Sequence, residues 1–168
     1  QQTGTSMRNG NRHAGLGMAP YNVYECADGH LAIICVANRH WRALLTAIDR
    51  DDLLDDDRLR GQTGRAEHMV EVDAIVTAWS SQLPKFEAAD ILQKAHVPAA
   101  AVRTVDEIVH DERQIERRAI QWINHPDLGD IPLHTSPIRW HDSELADLVA
   151  NHSLGADNER VFGEFSSD

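Results

Sequence analysis

Ala19-Pro20-Tyr21-Asn22-Val23-Tyr24-Glu25-Cys26-Ala27-Asp28-Gly29-His30-Leu31-Ala32-Ile33-Ile34 is the stretch on which the fold turns. Two strand-like runs flank Asp28-Gly29, the residue pair that best tolerates positive φ at both central positions of a type I′ turn, so the stretch reads as a β-hairpin. With Asp28-Gly29 at the tip, Ala27 faces His30, Cys26 faces Leu31 and Cys35 lies opposite Asn22. The two cysteines of the chain, Cys26 and Cys35, are therefore offset along the ladder and do not bridge. Both read as small buried apolar side chains.

Upstream of the hairpin lies a polar loop that opens with Arg8-Asn9-Gly10-Asn11-Arg12 and carries further glycines at Gly15 and Gly17. Glycine lets backbone N–H groups approach an anion or a thioester oxygen with no Cβ in the way. No strand precedes these glycines and no helix follows at once, so they form neither a P-loop nor a dinucleotide fingerprint. Spacing alone supports a plain flexible loop.

Downstream, Asn38 reads as the cap of a helix whose Trp41, Leu44, Leu45 and Ile48 share one face. Residues 49–60 form an acidic connector. A long helix is predicted from Thr63 or Gly64, with Met69, Val72, Ile75, Val76 and Trp79 as its apolar positions, and Pro84 separates it from another over 86–95. A short strand is expected at 97–102, helical turns at 105–108 and 111–118, and strands at 121–124 and 131–133 around the turn His125-Pro126-Asp127-Leu128-Gly129-Asp130. One helical possibility remains at 143–149. There is no internal repeat and no sustained heptad pattern.

At 168 residues and 42% hydrophobic content, the chain can bury one core of ordinary size. A formal net charge of −11 and the lack of any reversing Lys/Arg cluster argue against a nucleic-acid partner. No apolar run approaches the roughly 18 residues of a membrane span, and no signal-peptide pattern opens the chain. The expectation is a cytoplasmic protein without membrane or nucleic-acid partners. The polar opening at Gln1, without an initiator Met, reads as a cut within a longer protein.

The aspartates at 49, 51, 52, 55, 56 and 57 fail the EF-hand spacing in both possible frames, because Leu54 or Asp56 falls where glycine is needed and Arg60 or Gln62 where glutamate is needed. They read as a solvated connector partly paired with Arg50, Arg58 and Arg60. Ten histidines invite a zinc reading, but no pair stands in HxH, HExxH or CxxC spacing, so no metal is expected. No serine lies in a G-x-S-x-G elbow, which removes a hydrolase triad from consideration.

The ordered motifs together resemble family III CoA-transferases, the CaiB/BaiF family. The resemblance is carried by the Arg8–Arg12 run, the Ala19–Gly29 hairpin, Arg39-His40-Trp41-Arg42-Ala43-Leu44, Asp56-Asp57-Arg58-Leu59, Ala95–Val102, His125–Gly129 and Ser136-Pro137-Ile138-Arg139. It implies an α+β chain comprising a linker with a glycine-containing loop (1–20), the small domain (21–130), and a returning linker with the C-terminal segment of the large domain (131–168). The Rossmann-like N-terminal part of the family fold, with the aspartate that attacks acyl-CoA and carries the CoA thioester, has no match here. The isolated chain is then inactive, and the full-length parent is an interlocked homodimer taking acyl-CoA and carboxylic acid substrates, with coenzyme A as thioester cosubstrate and no metal.

By the same resemblance, His13, Ala14, Gly15, Leu16 and Gly17 occupy the place of the loop that closes over the thioester, although His-Ala-Gly-Leu-Gly is not a run of glycines. Asn38 stands where some α-methylacyl-CoA racemases of this fold carry a glutamate, which favours transfer over racemisation. Near the end, His152-Ser153-Leu154-Gly155 keeps only the Leu-Gly core of the family's "P-x-L-G-E-H". A non-catalytic dimerisation or binding module is the rival reading. A fragment would expose apolar surface around Pro20, Ile138 and Trp140.

Overall fold

A computed structural model describes residues 15, 17–151 and 153–163. The chain divides into two compact units between Val102 and Arg103. It is an α+β protein with two small antiparallel sheets.

The first unit is built on a three-stranded sheet in the order β1 (Tyr21–Cys26), β2 (Gly29–Ile34), β3 (Ala99–Ala101). Alternation along the strands sends Tyr24, Cys26, Leu31 and Ile33 into the core. Helices α1 (Asn38–Ala47), α2 (Gln62–Glu67), α3 (Met69–Ser80) and α4 (Lys85–Lys94) follow in the chain, with a 3₁₀ turn at Asp51–Leu53. α3 packs on β1, and α4 on β2 and β3. Trp41, Leu44, Leu45 and Ile48 of the first helical stripe are all buried, as are Met69, Val72 and Val76 of α3 and Ala88 and Leu92 of α4.

The hairpin register differs from the sequence expectation. Cys26 pairs with Gly29 and Tyr24 with Leu31, so Ala27 and Asp28 form the turn, and neither has positive φ. Tertiary contacts account for the difference. The Ala27 N–H donates to the Leu83 carbonyl at 2.9 Å, and Asp28 Oδ1 accepts from the Lys85 N–H at 2.7 Å, capping α4 from outside. Gly29 lies against Lys85, whose Cδ would be 2.9 Å from an added Cβ. Cys35 falls beyond the ladder, where its N–H donates to the Pro20 carbonyl at 2.9 Å, and both cysteines are free and buried.

The predicted long helix is two helices that break at His68 (φ −103°, ψ 27°). The His68 ring donates from Nδ1 to the Gly64 carbonyl at 2.8 Å, which places its proton on Nδ1. α2 also abuts the connector so closely that a Cβ on Gly64 would run into the Arg58 carbonyl oxygen. In the connector Arg50 pairs with Asp52, Arg58 with Asp56 and Glu71, and Arg60 with Asp57, as its composition suggested.

The second unit contains α5 (Val105–Val109), α6 (Glu112–Glu116), the hairpin β4 (Ile120–His125) and β5 (Gly129–His134), and α7 (Asn158–Phe162). α5 opens with a capping box between Thr104 and Glu107. Asp111 caps α6, accepting from the Arg113 and Gln114 N–H groups. Gly129, at φ +72°, closes the hairpin loop, a conformation that glycine adopts without a Cβ penalty.

The expected helix at 143–149 does not form. The Gln121 side chain takes that backbone instead, donating to the Ala146 carbonyl at 3.2 Å and accepting the Leu148 N–H at 3.0 Å, while Arg118 pairs with Asp147. α7 had no counterpart in the sequence reading. Ile138 and Trp140 are 65% and 76% exposed, but Pro20 is fully buried, which corrects its place in the predicted apolar surface. Among the described residues no helix is long and apolar enough to cross a membrane.

Candidate functional site

Of the five loop residues singled out by sequence, Gly15 and Gly17 are described and exposed, and His13, Ala14 and Leu16 lie outside the described residues. A Cβ at Gly17 would meet its nearest neighbour, the Gly15 carbonyl oxygen, at 3.7 Å, which is ordinary contact. Among the described residues, therefore, no packing contact requires glycine at 17.

Two residues further on, the chain enters the core at Ala19-Pro20, and there a buried arginine takes hold of it. Arg65 of α2 is fully buried. Its Nε donates to the Ala19 carbonyl at 2.9 Å. Nη1 reaches the Leu59 carbonyl at 3.1 Å, the Arg60 carbonyl at 3.3 Å and Asn38 Oδ1 at 3.2 Å, and Nη2 reaches the same Asn38 oxygen at 3.2 Å. Its guanidinium also lies 5.6 Å from the Trp41 ring centroid.

Among the described residues no carboxylate takes part in this cluster. Carbonyl dipoles and an aromatic face offset the cost of burying the charge, which is several kcal/mol for an unpaired ion. Burial pushes the Arg65 guanidinium below its usual range, yet arginine starts so high that it stays charged. Burial likewise pushes the neighbouring Cys35 thiol up to about 12, against the opposing field of Arg65, so Cys35 is a neutral thiol and not a nucleophile.

Asn38 consequently has a different part from the one its position suggested. Ala37, not Asn38, holds the N-cap position of α1, which has no side-chain cap, and the Asn38 amide oxygen serves Arg65. Arg65 itself was not singled out by sequence reasoning. Its signal was present: residues 65, 69, 72 and 76 share one helical stripe, and a charged residue on an otherwise apolar stripe needs buried partners.

β1 is fastened independently. Tyr24 Oη donates to Asp73 Oδ1 at 2.9 Å and Asn22 Nδ2 to Asp73 Oδ2 at 3.4 Å, which fixes the strand on α3. The opposite face of the sheet carries an apolar groove of about 550 Å³. Its floor is the cross-strand row Val23, Ala32 and Ala100, flanked by Tyr21, Ile34 and Pro98. The alanines in the row leave the hollow, because their neighbours rise higher from the same face. A groove of this size and character suits an apolar chain bearing few polar groups.

Among the described residues no group of three or more His, Cys, Asp or Glu side chains is placed to hold a metal ion.

The model of the CoA-transferase family III matches residues 1–158. The chain is 27% identical over 146 residues to a succinyl-CoA–D-citramalate CoA-transferase of Chloroflexus aurantiacus, covering 86% of this chain and 36% of that one. It is 30% identical over 168 aligned positions to a succinyl-CoA:mesaconate CoA-transferase of Haloarcula hispanica, covering 92% of this chain and 41% of that one. A formyl-CoA:oxalate CoA-transferase of Streptomyces avermitilis is 27% identical over 158 residues, covering 92% of this chain and 38% of that one. The crystal structure of a CaiB/BaiF family protein from Brucella suis has the same fold over 95% of this chain and 40% of that one, with a TM-score of 0.76 at 23% identity. The chain thus spans about two fifths of the length of these relatives.

Proposed function

Because the chain belongs to CoA-transferase family III, we propose that it works in the transfer of coenzyme A between carboxylic acids, with an acyl-CoA thioester as cosubstrate. The family match over residues 1–158 carries this reading. The relatives' own substrates, succinyl-CoA with mesaconate or citramalate among them, make a small dicarboxylic acid the first acceptor to try.

The contribution of this chain is the loop His13–Gly17, which covers the thioester and keeps water from it. Two observations support that role. Glycine at 17 has no packing reason among the described residues, and the root of the loop at Ala19 is pinned by a fully buried arginine. The apolar groove that begins at Tyr21, four residues beyond Gly17, takes the acyl or pantetheine portion. The division into linker (1–20), small domain (21–130) and returning segment (131–168), and the interlocked homodimer, belong to the same proposal.

Chemistry needs a carboxylate nucleophile, and no aspartate of this chain matches the family's. In the proposed reaction an aspartate outside this chain attacks the thioester carbonyl, forming a mixed anhydride and releasing CoA thiolate. The thiolate then attacks the aspartyl carbonyl of the anhydride, which frees the donor acid and leaves an aspartyl-CoA thioester. The acceptor carboxylate repeats the two steps in reverse, and the isolated chain has no activity.

The racemase alternative is disfavoured by Asn38, an amide whose oxygen is already held by Arg65. The test is to incubate the product of the reading frame that encodes this chain with succinyl-CoA and dicarboxylic acids in D₂O. A new thioester without deuterium at the α-carbon is the expected result. α-Deuterium without a new thioester would indicate a racemase, and neither product would leave the non-catalytic module.

A further inference from the structure

The second unit holds a hollow of about 540 Å³ between the end of α6 and the segment that follows β5. Gln114, Arg117, His134, Thr135, Ser136 and Arg139 supply its polar lining, and among the described residues no carboxylate contributes to it. This is unexpected in a chain with 27 acidic residues against 16 basic ones. Neighbouring arginines follow the general balance, Arg118 pairing with Asp147 and Arg103 with Asp111. Arg117 and Arg139 do not, since neither has an acidic partner among the described residues.

Arg139 is held in place by neutral acceptors, its Nη2 donating to the Arg117 carbonyl and to Thr135 Oγ1, both at 3.4 Å. Thr135 is in turn buried and donates to the Arg118 carbonyl at 2.7 Å. The Ser136 hydroxyl oxygen accepts the Ile138 N–H at 3.2 Å, which leaves its own hydrogen to donate. Arg117, Arg139, Gln114 and Ser136, residues rich in N–H and O–H donors, thus line one concave space. Planar guanidiniums in pairs match the oxygens of a phosphate or of carboxylates.

We propose that this hollow is an oxyanion site, in which Arg117 and Arg139 clamp a phosphate monoester or the two carboxylates of a dicarboxylic acid. The geometry stands without the CoA-transfer reading. The choice of natural source rests on that reading, which supplies two: the 3′-phosphate of coenzyme A and a dicarboxylate substrate.

The test is titration of the 168-residue chain with inorganic phosphate and, separately, succinate, followed by backbone and guanidinium NMR shifts at low ionic strength, where exposed charges are least screened. A dissociation constant of about 1 mM is expected for an open site of this kind. Arg117→Ala and Arg139→Ala should each weaken binding about 10-fold, and the double variant should abolish it. Both side chains are exposed, so the variants keep the fold, and Arg39→Ala, which removes an exposed guanidinium from the other unit, should leave binding unchanged. CoA binding more tightly than dephospho-CoA would identify the phosphate source, and succinate binding more tightly than phosphate the dicarboxylate source. If phosphate and succinate bind as proposed but neither source is distinguished, the site stands and the CoA-transfer reading loses support. Shifts that ignore both arginines, or that fall equally with Arg39→Ala, would overturn the site.

Discussion

Arg65 carries a charge into the core and satisfies four acceptors there, at Ala19, Asn38, Leu59 and Arg60. Arg65→Met should therefore destabilise the chain by about 3 kcal/mol or more in urea denaturation, because each orphaned buried acceptor costs about 1–3 kcal/mol. Arg65→Lys should recover only part of this, since an ammonium on a flexible stem cannot reproduce the planar fork. Equal stability of the Met variant would mean that the cluster contributes nothing net. The same locus predicts a pH effect. The Cys35 thiol titrates near 12 when folded against an ordinary 9.0, so the folded state keeps a proton that the unfolded state loses. Stability is fully present below pH 9 and declines as pH rises toward 12. Cys35→Ala should flatten that part of the stability profile, measured by denaturation at a series of alkaline pH values.

At the scale of elements, side chains that reach across sequence decide the places where local signals give way. Gly64→Ala should destabilise by about 1–3 kcal/mol, the range for forced overpacking, because its Cβ would meet backbone and not a yielding side chain. Gln121→Leu should release the segment around Ala146–Leu148, seen as faster amide exchange there with little change in β4. These two sites also show what was legible. Periodicity identified α1, α3, α4 and both hairpins, because burial of an apolar stripe or face is written locally. The turn at Ala27-Asp28, the break at His68 and the extended course of 143–149 depend on partners at Leu83, Gly64 and Gln121, and no local pattern records those pairings. Arg65 was legible as a charge on an apolar stripe. Its acceptors, three of them backbone carbonyls, were not, since every residue carries one.

At the scale of the whole molecule, the chain combines a glycine-bearing loop, a root for that loop held by Arg65 and an open apolar sheet face within one family match. The motifs that carried the family resemblance lie at structural joints: the hairpin, the entry of α1, the connector and the turn before β5. The loop itself was found through the resemblance, because the spacing of its glycines matches no phosphate-binding fingerprint and by itself supports only a plain loop. The most direct test is therefore Gly17→Val in the product of the complete reading frame, measuring how acyl-CoA divides between transfer to a carboxylic acid and hydrolysis by water. A shift of about 10-fold or more toward hydrolysis with the melting temperature unchanged is expected, as when a cover over a reactive intermediate fails. An unaltered ratio at an unaltered rate would remove the loop from the site.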